Sequence, residues 1–289
     1  MAEWILSSLG ITKESRRMEY LNPGIIIDEK ESGNMHPDRM EDLINTLAPF
    51  LSAEELGRIQ QIRRGPYQGV GADLAGMIDH TLLASDATPD DIRLLCHQAE
   101  TWHTYAVCIN SWLVPYAHEV LSESSVKIAS VAGFPLGAEA SSVKAYEGRW
   151  ALDHGAHEID MVINLGALKA KNWRKVLEDI EAVKEVVPSP RVLKVILETV
   201  RLTDEEKVQA AFLSVAAGAD FVKTSTGFDK GGATVYDVRL LREVVGTEVG
   251  VKAAGGIHTT HEAQSMVEAG ASRIGASRTH EILSGHSMA

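Results

Sequence analysis

From Gly71 onward, short apolar runs alternate with stretches in which apolar residues recur at helical spacing, with little slack between the two patterns. The runs predict strands at Leu74–Asp79, Tyr105–Ile109, Val126–Ala132, Glu158–Ile163, Val192–Leu197, Phe221–Thr224, Gly250–Ala254 and Arg273–Gly275. The helices between them carry start signals: Thr88 before Pro89, Thr203 with Glu206, and Thr259 with Glu262. Gly155, Gly218 and Gly270 stand where three of them should stop. Eight strands in strict alternation over residues 71–289 predict an α/β fold, the closed (β/α)8 TIM barrel, which commonly takes about 250 residues and can take about 200. A doubly wound open sheet is the competing architecture, and it lacks the Gly-x-Gly-x-x-Gly that should follow its first strand.

Residues 1–70 read differently. Polar breaks at Asn22-Pro-Gly and Glu31-Ser-Gly-Asn interrupt them, and strand signals are few. Met40, Leu43, Ile44 and Leu47 fall at helical spacing, and a second helix starts at Ser52, with Glu55 closing a capping box and Leu51 facing Leu56. Gly65-Pro66 ends it. The pattern predicts an N-terminal helical arm whose apolar faces need cover from the barrel or from a second subunit. A complete barrel covers its own core, so the expectation is a homodimer with the arm across the subunit contact.

One interval in the barrel carries chemistry. Lys194, Lys223 and Lys252 each sit inside an apolar run, and successive lysines are 29 residues apart. That is one strand, one helix and two loops, so adjacent parallel strands should bring three ammonium groups together at one height. A single strand lysine is ordinarily a snorkelling side chain paired with a carboxylate. Three in register repel one another, and Lys223, flanked on both sides, should lose its proton most readily and present a free amine. Asp160, in Glu158-Ile-Asp, and Glu198, at the end of the strand of Lys194, are the carboxylates in reach. Asp160 suits either a structural pair with a lysine or a proton relay.

Barrel chemistry gathers at the carboxyl ends of strands, which directs attention to Asp79, Cys108, Asp160, Glu198, Lys223 to Thr226 with Thr224 among them, Lys252 to Gly256, and Gly275 to Arg278. Gly255-Gly256 and Gly275-Ala-Ser277-Arg278 end the seventh and eighth strands, the usual place for a phosphate in this architecture. Gly227 and Gly231-Gly232, after the sixth, can close over the same group.

The formal net charge of -12 argues against a general nucleic-acid-binding surface. Cys96 and Cys108 give no disulfide framework and fit a reducing cytoplasm, Cys108 reading as a small buried hydrophobe. Nowhere do the roughly 20 apolar residues of a membrane span occur. Of eleven histidines, the pairs His154 with His157 and His258 with His261 belong to no compact metal-ligand motif, so no metal is expected.

Several separate stretches together resemble the deoxyribose-phosphate aldolase family: Ile78-Asp-His-Thr-Leu-Leu, Val107-Cys-Ile-Asn, Val131-Ala-Gly-Phe-Pro-Leu-Gly, Glu158-Ile-Asp-Met-Val-Ile-Asn, Phe221-Val-Lys-Thr-Ser-Thr-Gly-Phe, Val251-Lys-Ala-Ala-Gly-Gly-Ile and Arg273-Ile-Gly-Ala-Ser. The resemblance covers Gly71 to about Leu283. It implies a class I aldolase without cofactor or metal. It places the Schiff-base lysine at Lys223, the lysine that perturbs it at Lys252 and the proton relay at Asp160. It also implies substrates: 2-deoxyribose 5-phosphate, split reversibly into acetaldehyde and glyceraldehyde 3-phosphate. The family usually has two small residues where Ser277-Arg278 stand, and some members end in a tyrosine where this chain ends Gly285-His-Ser-Met-Ala. The compact members have no counterpart of the first 70 residues. Two other readings compete, a barrel holding pyridoxal phosphate on the same lysine and a silent binding scaffold.

Overall fold

The computed structural model describes residues 35–64 and 73–285, and in it eight parallel strands pair in chain order until the eighth closes on the first. Two helices come ahead of the barrel, α1 (Pro37–Leu47) and α2 (Ala53–Gln60). The first half of the barrel runs β1 (Ile78–Leu82), α3 (Pro89–Trp102), β2 (Ala106–Ile109), α4 (Val114–Val120), β3 (Lys127–Ala132), α5 (Ser141–Asp153) and β4 (Glu158–Val162). The second runs α6 (Leu165–Lys169), α7 (Trp173–Lys184), β5 (Val192–Ile196), α8 (Asp204–Ala216), β6 (Phe221–Lys223), α9 (Val235–Val245), β7 (Gly250–Ala254), α10 (Thr260–Glu268), β8 (Arg273–Ala276) and α11 (Thr279–Ser284). The closed barrel excludes the open sheet.

The helix signals act as their chemistry requires. Thr88, Thr203 and Thr259 each accept from the backbone three residues on, and Asp91, Glu206 and Glu262 return the bond. Gly155, Gly218 and Gly270 lie just past α5, α8 and α10 with φ of +114°, +80° and +112°, a region closed to most side chains. The first strand is shorter than its apolar run: Leu74–Met77 is a 3-10 turn, and pairing starts at Ile78.

Register decides what faces inward. Lys223 lies opposite Lys252, while Lys194 lies opposite Phe221, two residues further down β6. The three lysines are therefore not at one height. Lys194 sits a full pleat repeat below the other two, roughly 6–7 Å along the strand. Because side chains alternate, Glu158 shares the inner face with Asp160, and Arg273 shares it with Gly275. Under these residues the Arg273 guanidinium lies 3.5 Å from the centre of the Tyr105 ring, with Phe221 beside it, and this aromatic layer floors the barrel.

The described part of the arm takes one of the two expected covers, that of its own barrel. The described residues pack as one compact unit, and the apolar faces of α1 and α2 are covered by the chain's own α8. Met40, Leu43, Leu47 and Ile59 are buried there. Arg58 donates to the Ala216 carbonyl at the end of α8 at 2.5 Å, Glu55 pairs with Arg174 at 3.0 Å, and Arg39 pairs with Glu205 at 2.6 Å. The physical reason is α8 itself, buried along its whole length from Lys207 to Ala216: one side rests on the barrel and the other needs the arm. Ser52 and Glu55 form the expected capping box. The polar breaks at residues 22–24 and 31–34, the stop at Gly65-Pro66 and the last four residues of the tail lie outside the described residues. Among the described residues no helix is long and apolar enough to cross a membrane.

Candidate active site

Asp160, on β4, is the hub of the barrel interior. Its Oδ2 accepts from Lys223 Nζ at 2.8 Å and from Lys252 Nζ at 2.9 Å, and its Oδ1 accepts from Lys194 Nζ at 2.6 Å. The three lysines thus converge on one carboxylate, although they leave their strands at two heights. Burial alone would raise the pKa of Asp160, but the three ammonium groups outweigh it and hold the carboxyl well below the usual carboxylate range.

More carboxylates are present than Asp160 and Glu198. Lys252 also binds Asp79, Lys194 binds Glu158 at 2.6 Å, and Arg273 bridges Asp79 at 2.9 Å and Glu158 at 3.1 Å. Burial works against the charge of Lys252 and Lys194. Asp160 and Asp79 overcome it for Lys252, and Asp160 and Glu158 overcome it for Lys194, so both ammonium groups are held above the ordinary lysine range. For Asp79, burial is likewise outweighed by Lys252 and Arg273, and its carboxyl is held below the usual range. Lys223 differs from the other two lysines in having a single carboxylate partner, Asp160. It is the last residue of β6, at the carboxyl end where the loops meet, and its side chain is 3% exposed.

The opposite side of the interior is apolar. Leu83, Cys108, Ala129 and Val131 form a small buried cluster with Phe134 packed on it. Burial pushes the Cys108 thiol up, so it stands as a neutral hydrophobe in that wall. Phe134 then meets Phe228 edge to face at 5.2 Å, a contact between the loops after β3 and β6.

The glycines after β6 and β7 come together. Gly227, Gly255 and Gly256 all have φ between +74° and +88°. A Cβ on Gly232 would sit 2.2 Å from the Gly255 carbonyl oxygen, so the two loops touch backbone to backbone, and Ala233 donates to that same oxygen at 3.0 Å. A Cβ on Gly256 would meet nothing within 4 Å, which leaves an open cradle there. Gly275 has a second reason to be glycine: a Cβ would lie 3.0 Å from Lys252 Cε. Ser277 and Arg278 are exposed on the rim after β8. Thr224 pins the strand ends, its hydroxyl lying 3.1 Å from both the Ala254 carbonyl and the Ala254 N–H. Glu198 binds no lysine; its carboxylate takes the Thr226 hydroxyl at 2.5 Å. Two of the suspected histidines have structural partners: His154 stacks on Trp150, and His157 Nδ1 accepts from the Ile128 N–H at 3.1 Å.

Glu158 and Arg273 belong to the charged cluster and escaped the sequence reading. Their signal was present, since each stands two residues before a position already singled out near the carboxyl end of its strand, Asp160 and Gly275, and residues two apart in a strand share a face.

Comparison with known proteins gives the family of the chain. Residues 74–288 match the DeoC/LacD family of aldolases. The chain is 53% identical over 218 residues to a deoxyribose-phosphate aldolase of Carboxydothermus hydrogenoformans, covering 73% of this chain and 94% of that one. It is 55% identical over 219 residues to one from Thermococcus gammatolerans, covering 75% and 97%. Among solved structures, the tetrameric deoxyribose phosphate aldolase of Aeropyrum pernix superposes with a TM-score of 0.68 at 31% identity, covering 84% of this chain and 96% of that one. That share exceeds what residues 74–289 make up, so the alignment reaches into the residues before the barrel. By its sequence along the whole barrel and by its fold, the chain belongs to the DeoC/LacD family of aldolases.

Proposed function

We propose that the protein splits 2-deoxyribose 5-phosphate reversibly into acetaldehyde and glyceraldehyde 3-phosphate through a Schiff base on Lys223. The observation that carries this reading is the convergence of three lysine amines on Asp160, with Lys223 the least paired of the three. Four cationic side chains, Lys194, Lys223, Lys252 and Arg273, meet three carboxylates, Asp79, Glu158 and Asp160, which leaves one positive charge in excess when all are ionised. The carboxylates hold the protonated forms of Lys194 and Lys252, while Lys223 has Asp160 alone.

In the cleavage direction the Lys223 amine adds to C1 of the open-chain sugar, and the carbinolamine loses water to give an iminium. A base takes the proton of the C3 hydroxyl, the C2–C3 bond breaks, and its electron pair moves into the iminium to give an enamine as glyceraldehyde 3-phosphate leaves. Protonation at C2 and addition of water then release acetaldehyde and return the amine. Asp160, in contact with Lys223, moves these protons together with water. The Lys194 and Lys252 ammonium groups beside it make its protonated form costly, which suits a group that passes a proton on and does not store it. The apolar wall of Leu83, Cys108 and Val131 suits the methyl end of the two-carbon fragment. The phosphate belongs to the rim at Gly227, Gly255, Gly256, Gly275, Ser277 and Arg278, with Asp79, Lys194 and Thr224 holding the surrounding frame. Two buried free cysteines accord with a reducing cytoplasm.

The Aeropyrum relative is a tetramer, and the same reading makes this protein a homo-oligomer. Trp112, Val143 and Tyr146 are large exposed apolar side chains on neighbouring elements and offer a face for a second copy.

Borohydride reduction in the presence of acetaldehyde tests the central claim. A stable adduct is expected on Lys223, with cleavage of the phosphorylated sugar undiminished by a chelator. An adduct confined to Lys194 or Lys252 overturns the assignment, and a visible absorption band on the purified protein favours pyridoxal phosphate instead.

A further inference from the structure

Glu198 is buried just past β5, the strand that pairs with the one carrying Lys223, yet no step above uses it. It follows β5 with φ of +55°, a left-handed conformation that costs any residue carrying a Cβ. Its carboxylate is turned toward the loop after β6. Oε2 accepts from the Thr226 hydroxyl at 2.5 Å and from the Thr226 N–H at 3.2 Å, and the same hydroxyl accepts from the Phe228 N–H at 3.1 Å. Gly227 lies between those two residues, so a single side chain holds its turn from both ends.

Further ties from the same segment reach the same loop. Arg201 pairs with Asp229, and the Val200 side chain fills the space beside Gly231, where a Cβ would come within 2.8 Å of it. On its far side the loop lies on the one after β7, with Gly227 Cα 3.5 Å from where a Cβ of Gly255 would stand. Glu198 Oε1 is itself buried without a hydrogen-bond partner among the described residues, as are the hydroxyls of Thr199 and Ser225. A buried acceptor left unfilled is a cost that structures seldom bear without use.

We propose that Glu198 is a positioning residue for the phosphate end of the substrate. Through Thr226 it fixes the Gly227 turn against Gly255, and so sets the spacing of the backbone amides that receive the anion. The inference rests on the phosphate-binding reading given above and deepens it. The chemistry at Lys223 is separate, because Glu198 pairs with no lysine.

The test is a split between affinity and turnover. Glu198→Gly removes the carboxylate while glycine keeps the left-handed backbone at no steric cost. It should raise KM for 2-deoxyribose 5-phosphate about tenfold, the scale of losing one hydrogen-bonded contact that sets a charged group. Values of kcat, and kcat/KM for plain 2-deoxyribose, should stay within about threefold. Glu198→Gln, which keeps an oxygen for Thr226, should recover most of the loss. The Glu198→Gly protein should still form the borohydride adduct with acetaldehyde. Equal losses on both sugars, an unchanged KM, or loss of the adduct overturns the proposal. Ser277→Asp separates the two readings, because a carboxylate on the rim itself should repel phosphate. If that variant loses the preference for the phosphorylated sugar and Glu198→Gly keeps it, only the role of Glu198 falls; if Ser277→Asp also keeps it, the phosphate site is elsewhere and both readings fall.

Discussion

Lys223 and Lys252 face each other across adjacent strands and end on the same oxygen of Asp160, at 2.8 Å and 2.9 Å. Two ammonium groups sharing one acceptor raise each other's electrostatic cost, and Lys252, held also by Asp79, is the one that keeps its proton.

Replacing Lys252 with Leu removes that charge, so protonated Lys223 is no longer opposed by it. The pH at which cleavage activity appears should move upward, and activity at neutral pH should fall by about tenfold for each pH unit of that displacement. A pH–rate profile from pH 5 to 10 on both proteins measures it. An acid limb in the same place for wild type and variant would deny Lys252 this role.

Asp79 supports the same cluster from below, between Lys252 and Arg273. Asp79→Asn leaves two fully or nearly buried cations short of an anion, and breaking a buried pair in this way costs about 3–5 kcal/mol. Urea unfolding should show a loss of that size. A loss under about 1 kcal/mol would mean that Glu158 and Asp160 compensate alone.

The interior of the barrel was legible in sequence wherever a period repeated. The lysine interval marked three strands, and the glycines and threonines marked helix ends, because each signal is local and each occurs in the structure within a residue or two. Heights were less legible. Lys194 lies opposite Phe221 instead of Lys223, since equal spacing along a chain does not fix register when helices and loops differ in length. Glu158 and Arg273 were missed for a different reason. A carboxylate and a guanidinium at the start of a strand repeat at no interval, and only inner-face parity with Asp160 and Gly275 betrays them. The cover over α8 was written in its own composition, Val208-Gln-Ala-Ala-Phe-Leu-Ser-Val-Ala-Ala, which has no wide polar face to give to water.

His80 should make stability depend on pH in a window it shares with His157, whose pKa burial also lowers. Its ring is buried between Gln98, 3.1 Å from Nε2, and the Thr279 hydroxyl, 2.8 Å from Nδ1, with Trp102 edge-on beside it. Burial lowers its pKa below the ordinary histidine value, despite the bond to Gln98. The unfolded chain therefore takes up a proton first as pH falls below about 6.5, and stability that is complete above that value declines toward the lower folded value. Asp79 and Asp160 act elsewhere, since their contribution is complete above about pH 4 and is lost only below it. Melting temperatures at pH 7.5 and 5.5 should differ more for wild type than for His80→Asn. The same difference in both proteins would assign the slope to other groups.

The arm supplies the last prediction, because its apolar faces turn inward on the chain's own α8. Met40, Leu43, Leu47 and Ile59 are buried there, and three polar ties, Arg58 to Ala216, Glu55 to Arg174 and Arg39 to Glu205, fasten α1 and α2 at both ends of the contact. None of these residues touches Asp160 or the lysines that converge on it. Deleting residues 1–66 should therefore leave Schiff-base formation at Lys223 intact in whatever protein stays folded, while it strips the outer face of a helix that is apolar all round. The melting temperature should drop, a dye that binds exposed apolar surface should light up, and light scattering should show association through the bared helix. The single change Leu47→Ala, at a side chain with no exposure, should cost about 2–5 kcal/mol by itself, enough to read in a urea titration. An unchanged melting point after the deletion would show that α8 needs no cover, and a clean fall in mass to that of one chain would return the arm to a subunit interface.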